Sequence, residues 1–203
     1  ESSVELWALR GDGLGNWPSP TVYSGTYVRA LDIGDLDADG ILDLVYVGAS
    51  NLEVRRGTAS ETFPTAELYG SSIGSVVRIA DVDADGIVDI LTADYNSSSL
   101  QIYRGDGDGT FSAATPLVVG TTVSGVDVGD FDGDSLQDIV VTAEADIRLY
   151  YGTESGFSSA PGSVISDSLA RVQAVDIDAN GLDDIVARGT DTLTVHFSDG
   201  NRM

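Results

Sequence analysis

One nine-residue pattern rich in aspartate occurs four times: DLDADGILD at 35–43, DVDADGIVD at 81–89, DFDGDSLQD at 130–138 and DIDANGLDD at 176–184. The copies begin 46, 49 and 46 residues apart. Self-similarity at a period of this size marks a repeat architecture in which each period is one supersecondary unit. A short apolar stretch precedes each copy, as in Val76-Val77-Arg78-Ile79-Ala80, and another follows, as in Ile139-Val140-Val141-Thr142. Such stretches next to turn-forming residues read as strands, so each acidic loop is predicted to join the two strands of a hairpin.

A second marker follows each of the first three loops: LEVRRGTASETF at 52–63, LQIYRGDGDGTF at 100–111 and IRLYYGTESGF at 147–157. It also stands near the N-terminus as LWALRGDGLGNW, 6–17, and at the C-terminus as LTVHFSDGNRM, 193–203, without the aromatic. The marker is an alternating apolar strand that enters a Gly-rich turn. Between its aromatic and the next loop lies one more short stretch, such as Thr65-Ala66-Glu67-Leu68-Tyr69. One period therefore holds about four short strands, the size of a propeller blade. No segment shows sustained helical periodicity, and coils of a parallel β-helix, the rival repeat architecture, are usually shorter than this period.

The loops carry the chemistry. In 35–43 the carboxylates Asp35, Asp37, Asp39 and Asp43 fall at loop positions 1, 3, 5 and 9, and Gly40 at position 6 permits the turn. Ile41 at position 7 offers only its backbone carbonyl, which leaves its side chain free for the core. Alternate positions aim oxygens at one centre, giving roughly six or seven oxygen ligands near 2.3–2.6 Å, which is Ca²⁺ chemistry. Mg²⁺ prefers fewer protein ligands, and Zn²⁺ wants His or Cys. Loop two supplies Asp81, Asp83, Asp85, Ile87 and Asp89, with Gly86 at the turn. Loop three supplies Asp130, Asp132, Asp134, Leu136 and Asp138, with Ser135 in place of glycine. Loop four supplies Asp176, Asp178, Asn180, Leu182 and Asp184; Asn180 keeps an oxygen but drops a charge, so weaker binding is expected there. About four Ca²⁺ per chain are expected. The start resembles an EF-hand loop, but position 12 is Tyr46, Thr92, Val141 or Ala187 instead of glutamate, and the flanks read as strands.

Composition narrows the function classes. Acidic residues number 33 against 10 basic ones, all arginine, for a formal charge of −23. Nucleic acid would be repelled by such a chain. There is no cysteine, hence no disulfide, and no apolar run approaches the roughly 20 residues that span a bilayer. Glu1 is not followed by a leader-like segment, so any signal peptide is expected to be already absent. Arg10-Gly11-Asp12 and Arg104-Gly105-Asp106 spell an integrin-recognition tripeptide, yet both lie in the marker turn, which explains them without a receptor. His196 lacks a nucleophile or carboxylate partner in the pattern and reads as structural. Asp32 and Asp127, three residues before their loops, read either as acceptors supporting the loops or as solvated groups. Asn96-Ser97-Ser98 is a glycosylation sequon, meaningful only in a eukaryotic secretory route. Trp7, Trp17, Tyr150 and Tyr151 offer either a sugar-stacking face or packing between blades, and packing is expected for most of them.

D-x-D-x-D-G-x-x-D between two strands, followed by a G-x-G-x-G-x-F-like turn, resembles the FG-GAP or VCBS repeat over essentially the whole chain. The resemblance implies an all-β fold: a β-propeller of four-stranded antiparallel blades, with structural Ca²⁺ in the hairpin between the first two strands of each blade. Residues 1–203 read as one such domain, with a blade remnant at 4–23 and blades at about 27–70, 75–119, 122–167 and 171–197. Propellers of this family typically have about seven blades, or about 330 residues at this period. The chain is therefore expected to belong to a larger or intermolecularly completed propeller. Closure by Thr21-Val22-Tyr23 on the last blade is an alternative. The expected function is a secreted or cell-surface, non-catalytic module for adhesion or recognition, with protein or glycan on a propeller face and no membrane insertion. A subunit that self-associates through its incomplete terminal blades, and an accessory domain of a secreted polysaccharide-acting enzyme, are the alternatives.

Overall fold

The computed structural model describes residues 6–9, 11–17, 20–23, 27–60, 62–70, 74–94, 96–144, 146–154, 156–166, 171–189 and 191–201. Val4 and Glu5 of the expected blade remnant, Arg10 of the first tripeptide, residue 167 of the third expected blade and the last two residues of the C-terminal marker lie outside them.

All regular structure in the described residues is β. Strands β3 (Ala30–Gly34), β4 (Asp43–Val47), β5 (Leu52–Arg55) and β6 (Ala66–Tyr69) form one antiparallel meander. Its counterpart consists of β7 (Gly74–Ala80), β8 (Asp89–Asp94), β9 (Ser99–Tyr103) and β10 (Thr115–Val118). The third is built from β11 (Val123–Gly129), β12 (Asp138–Ala143), β13 (Asp146–Tyr150) and β16 (Ser163–Ser166). Within the third marker turn, β14 (Gly152–Thr153) and β15 (Gly156–Phe157) pair as a small ribbon that the sequence reading did not separate. A three-stranded sheet follows: β17 (Arg171–Val175), β18 (Asp184–Arg188) and β19 (Leu193–His196). Ahead of them all, β1 (Leu6–Ala8) pairs with β2 (Thr21–Tyr23). Closure of β2 onto the last sheet is therefore not what the chain adopts: β2 bonds β1, and Tyr23 Oη accepts the Phe63 amide beside the first full sheet.

Each of the larger sheets is a meander in which neighbouring strands run antiparallel, the first two joined through an acidic loop. Successive first strands pack against one another, β3 on β7, β7 on β11 and β11 on β17, so the sheets stack face to face like propeller blades. The second strand of each of the first three blades is covered on both sides. It therefore reads as a continuous apolar run: Asp43–Val47 is buried at every residue, and so is Asp138–Ala143. Between blades one and two lies a core that includes Leu36, Val45, Leu52, Val54, Val77, Ile90 and Tyr103. Leu91, Leu100, Val126, Ile139 and Tyr150 belong to the next core, and Phe131, Val140, Leu149, Tyr151 and Ile185 to the third. Tyr150 and Tyr151 thus pack between blades, while Trp7 and Trp17 remain exposed. No helix among the described residues is long and apolar enough to cross a membrane.

Asp32 and Asp127 have a different role from either one expected. Asp32 Oδ2 accepts the Ile79 amide of the next blade at 2.9 Å, and Asp127 Oδ2 accepts the Ala174 amide at 2.9 Å. Arg78 Nε donates to the other oxygen of Asp127, also at 2.9 Å. These carboxylates clamp one blade to the next across the first strands. Asp127→Ala removes the acceptor for a partly buried amide and takes the carboxylate from Arg78 Nε, so it should cost about 1–3 kcal/mol. Urea denaturation should show a lower midpoint with little change in slope.

Candidate metal centres

The four loops fold by the same hydrogen bonds. The position-1 carboxylate accepts amides from the turn it encloses: Asp35 from Asp39 (3.2 Å) and Gly40 (2.9 Å), Asp81 from Asp85 (3.2 Å) and Gly86 (2.8 Å). Asp176 accepts Asn180 (3.1 Å) and Gly181 (3.0 Å), and Asp130 accepts Gly133 (2.7 Å) and Ser135 (3.0 Å). Position 5 accepts the amide of position 7 in every copy, at 2.7–2.9 Å: Asp39 from Ile41, Asp85 from Ile87, Asp134 from Leu136 and Asn180 from Leu182. The wrap needs two left-handed residues per loop, at positions 4 and 6. The sequence announced only position 6. Position 4 is Ala38 (φ 58°), Ala84 (59°) or Ala179 (60°), and loop three swaps the roles, with Gly133 (80°) at position 4 and Ser135 (69°) at position 6. A left-handed residue with a Cβ costs roughly 1–2 kcal/mol, so each loop holds strain that its surroundings must offset.

Position 9 is the most buried carboxylate: Asp43 and Asp89 are 2% exposed, Asp138 and Asp184 0%. One oxygen accepts the position-2 amide of its own loop, from Leu36, Val82, Phe131 or Ile177 at 3.0–3.1 Å. The other accepts the amide just beyond the third strand, from Gly57, Gly105, Gly152 or Ser198 at 2.7–2.9 Å. Three of those donors are the marker glycines. A Cβ at Gly105 would stand 2.4 Å from the Val88 carbonyl oxygen, so the turn closes only without a side chain.

In loops one to three the residue that enters the core is position 2, not position 7 as the sequence suggested, while Ile177 at position 2 of loop four is 46% exposed. Leu36, Val82 and Phe131 are at most 3% exposed. Ile41, Ile87, Leu136 and Leu182 are half-buried, and the first three cover the marker glycines.

Carboxylate oxygens converge within 4.8 Å in all four loops: Asp35, Asp37 and Asp39; Asp81, Asp83 and Asp85; Asp130, Asp132 and Asp138; Asp176, Asp178 and Asp184. The number and geometry of these clusters match calcium loops. Two carboxylates about 4 Å apart repel by about 4 kcal/mol at an effective dielectric near 20, so such a cluster calls for a cation. The donor set is oxygen only, which fits a hard dication. Asp83 Oδ1 is buried with no hydrogen-bond partner, an orphan anionic atom of the kind a metal satisfies. Burial holds the Asp83 carboxyl above the usual range against the pull of Arg104, and Asp89, Asp85 and Asp81 push the same way as burial.

Position 9 joins the tight group only in loops three and four. In the first two an arginine faces it, which the sequence reading missed. Arg56 Nη1 lies 3.6 Å from Asp37 Oδ2 and 3.5 Å from Asp43 Oδ2. Arg104 Nη1 lies 3.2 Å from Asp83 Oδ2 and 2.7 Å from Asp89 Oδ2. The residue before the marker glycine is the signal: it is arginine in these two repeats, Tyr151 in the third, and Phe197 stands before Ser198 in the fourth. Arg104 of the second tripeptide is thus turned toward its own acidic loop. His196 pairs in register with Ile185, its Nε2 buried without a partner.

Comparison with known proteins agrees with this geometry. A family model described as FG-GAP-like repeat matches residues 35–92, 81–141 and 130–187, each match starting on the first aspartate of a loop. No curated protein matches the chain. Among solved structures, an Agrocybe aegerita lectin that recognises non-reducing terminal N-acetylglucosamine is similar over 97% of this chain and 57% of its own, at 18% identity and a TM-score of 0.70. BBS1N, solved in complex with ARL6DN, is similar over 86% of this chain and 59% of its own, at 16% identity and a TM-score of 0.56. The Photorhabdus luminescens Tc holotoxin pore matches all of this chain with 11% of its own, at 16% identity and a TM-score of 0.54. The chain spans less than two thirds of each of these structures, and at such identities the likeness is one of fold.

Two outcomes follow from the electrostatics. Burial raises the Asp138 carboxyl from 3.8 to about 6, Asp132 and Asp134 add to the rise, and the Gly152 and Phe131 amides oppose it. A folded-state value above the unfolded one means that this group stabilises the fold at low pH and loses that contribution as pH rises through about 6. Chelated protein should therefore melt at a higher temperature at pH 5 than at pH 7, as read by circular dichroism. Arg104→Gln should tighten calcium binding at loop two several-fold by removing a competing cation, measured by calcium titration calorimetry against the parent chain.

Proposed function

The chain belongs to the FG-GAP-like repeat family, and on that premise we propose that it is a calcium-rigidified, non-catalytic recognition module of the cell exterior. In this reading Ca²⁺ is held in each loop by the side chains at positions 1, 3, 5 and 9 and by the carbonyl at position 7. In loop one these are Asp35, Asp37, Asp39, Asp43 and Ile41, and in loop four Asp176, Asp178, Asn180, Asp184 and Leu182. The ion neutralises the cluster and fixes the hairpin of each blade. What carries the reading is the identical wiring of four loops around four converging carboxylate groups. A protein or glycan bound on a face of the blade stack suits the fold, and the N-acetylglucosamine-recognising lectin of similar fold favours a glycan.

The propeller extends beyond these blades in the same reading, through further blades or a second copy. The end faces of the stack expose what the inner blades bury. Leu193 and Val195 are 70% and 39% exposed, while Leu52 and Val54 at the same register are 0%. At the opposite end Leu31 is 47% exposed, while its counterparts Val77 and Val126 are 0% and 1%. Surfaces that differ at the two ends make head-to-tail contacts, which close a ring or add blades. This same observation favours self-association as a second reading, tested by sedimentation across a concentration series.

The first experiment is thermal unfolding in EDTA and in millimolar CaCl₂, with a bound-metal count. Each ion that binds only the folded state stabilises it by RT ln(1 + [L]/Kd). A large rise in Tm with close to four Ca²⁺ per chain is expected; no rise and no bound calcium would overturn the reading.

A further inference from the structure

The acidic loops lie at one end of the first strands, and a different kind of site lies at the other. A cavity of about 370 Å³ opens there among blades two, three and four, lined by Arg78, Arg171, Arg188, Ser75, Ser124 and Gln173 among others. Three of the chain's ten arginines meet in it, although the chain carries a formal charge of −23. Arg78 is neutralised by Asp127 at 2.9 Å. Arg171 and Arg188 have no such partner among the described residues. They stand directly opposite each other on β17 and β18, both exposed, and neither side chain has an ion pair or hydrogen bond among the described residues. Like charges directly opposite on neighbouring strands are destabilising. Both guanidinium groups are exposed at the cavity and open to an external anion.

The backbone around the cavity is shaped as well. The pairing register slips between Gly74 and Val76 and again between Val123 and Gly125, which places a bulge at Ser75 and at Ser124. Bulges of this kind re-aim side chains and recur beside functional sites. Ser75 Oγ is buried with no hydrogen-bond partner. A Cβ on Gly125 would come within 3.2 Å of the Arg171 Cα, so glycine there lets the arginine-bearing strand approach. The volume falls in the range of small-ligand pockets, about 300–1,000 Å³.

We propose that this cavity binds the carboxylate of an acidic saccharide: Arg171 and Arg188 take the oxyanion, and the hydroxyl of Ser75 and the amide of Gln173 take sugar hydroxyls. Arginine forks suit a planar carboxylate, and the remaining polar groups match polyol chemistry. This rests on the recognition reading and names a ligand class for it.

The test is titration calorimetry in millimolar CaCl₂ with trigalacturonate, its methyl ester and sodium sulfate. The proteins are the parent chain and the double variant Arg171→Gln/Arg188→Gln, with Tm recorded for each. Trigalacturonate should bind the parent, the ester at least tenfold more weakly. The variant should lose at least tenfold in affinity while melting at the same temperature or higher, because the repulsion is gone. Equal binding to parent and variant, or no binding of trigalacturonate, overturns the proposal. Sulfate binding as tightly as trigalacturonate overturns its saccharide part. A calcium-dependent Tm that persists without anion binding sinks this inference alone, whereas a calcium-independent Tm sinks the calcium reading and leaves the anion result standing.

Discussion

Everything in this fold hangs on one buried carboxylate per repeat. Asp43, Asp89, Asp138 and Asp184 each bridge the start of the acidic loop and the amide that follows the third strand. One side chain thereby ties three segments that are far apart in the period. Hydrogen bonds to an ionised acceptor are worth about 1.5–3 kcal/mol each. Taking the carboxylate out of water costs several kcal/mol, so the balance turns on whether positive charge stands nearby. Two loops place an arginine there and two do not. The same group thus anchors the packing and, in loops three and four, also stands in the cluster of converging carboxylates.

Much of this was legible in the sequence, because the features that specify it are local. The period, the loop register and the alternating strands gave the meander, and the oxygen-only spacing pointed to a hard cation. Glycine at position 6 announced one left-handed residue. Alanine at position 4 announced nothing, since a left-handed alanine is imposed by the wrap around Asp35, Asp81 or Asp176 and not by its own preference. The choice between positions 2 and 7 for the core was also hidden. Both are apolar, and which one points inward depends on how the loop lies against the next blade. Asp32 and Asp127 were visible as acids, but their partners, Ile79 and Ala174, sit 47 residues further on. No window of one period can show such a contact.

Charge is distributed with the same logic. A formal −23 would work against compaction unless it were confined and compensated. Most of the described arginines act locally. Arg56 and Arg104 face their own loops, Arg78 bonds the blade-to-blade clamp, and Arg148 holds the Val119 carbonyl at 2.7 Å. The acids at the loops gather in groups that a dication can neutralise together. Against this pattern Arg171 and Arg188 stand out as a like-charged cross-strand pair whose side chains have no ion pair among the described residues.

Comparison between repeats separates what the scaffold needs from what it leaves free. In an array whose units contact only their neighbours, a contact that every unit makes is a condition of stacking. The position-9 bridge is made four times out of four, by glycine amides or by the serine amide of Ser198. At the other end of the first strands the residues change with each blade: Arg29 and Ala30, Ser75 and Val76, Ser124 and Gly125, then Arg171. A stack held rigid at its loop end tolerates that variation, because the strand starts are fixed by ladder bonds that ignore side-chain identity. Recognition chemistry is therefore free to differ from blade to blade at the end where the arginines meet, while the acidic end stays constant to hold the blades in place.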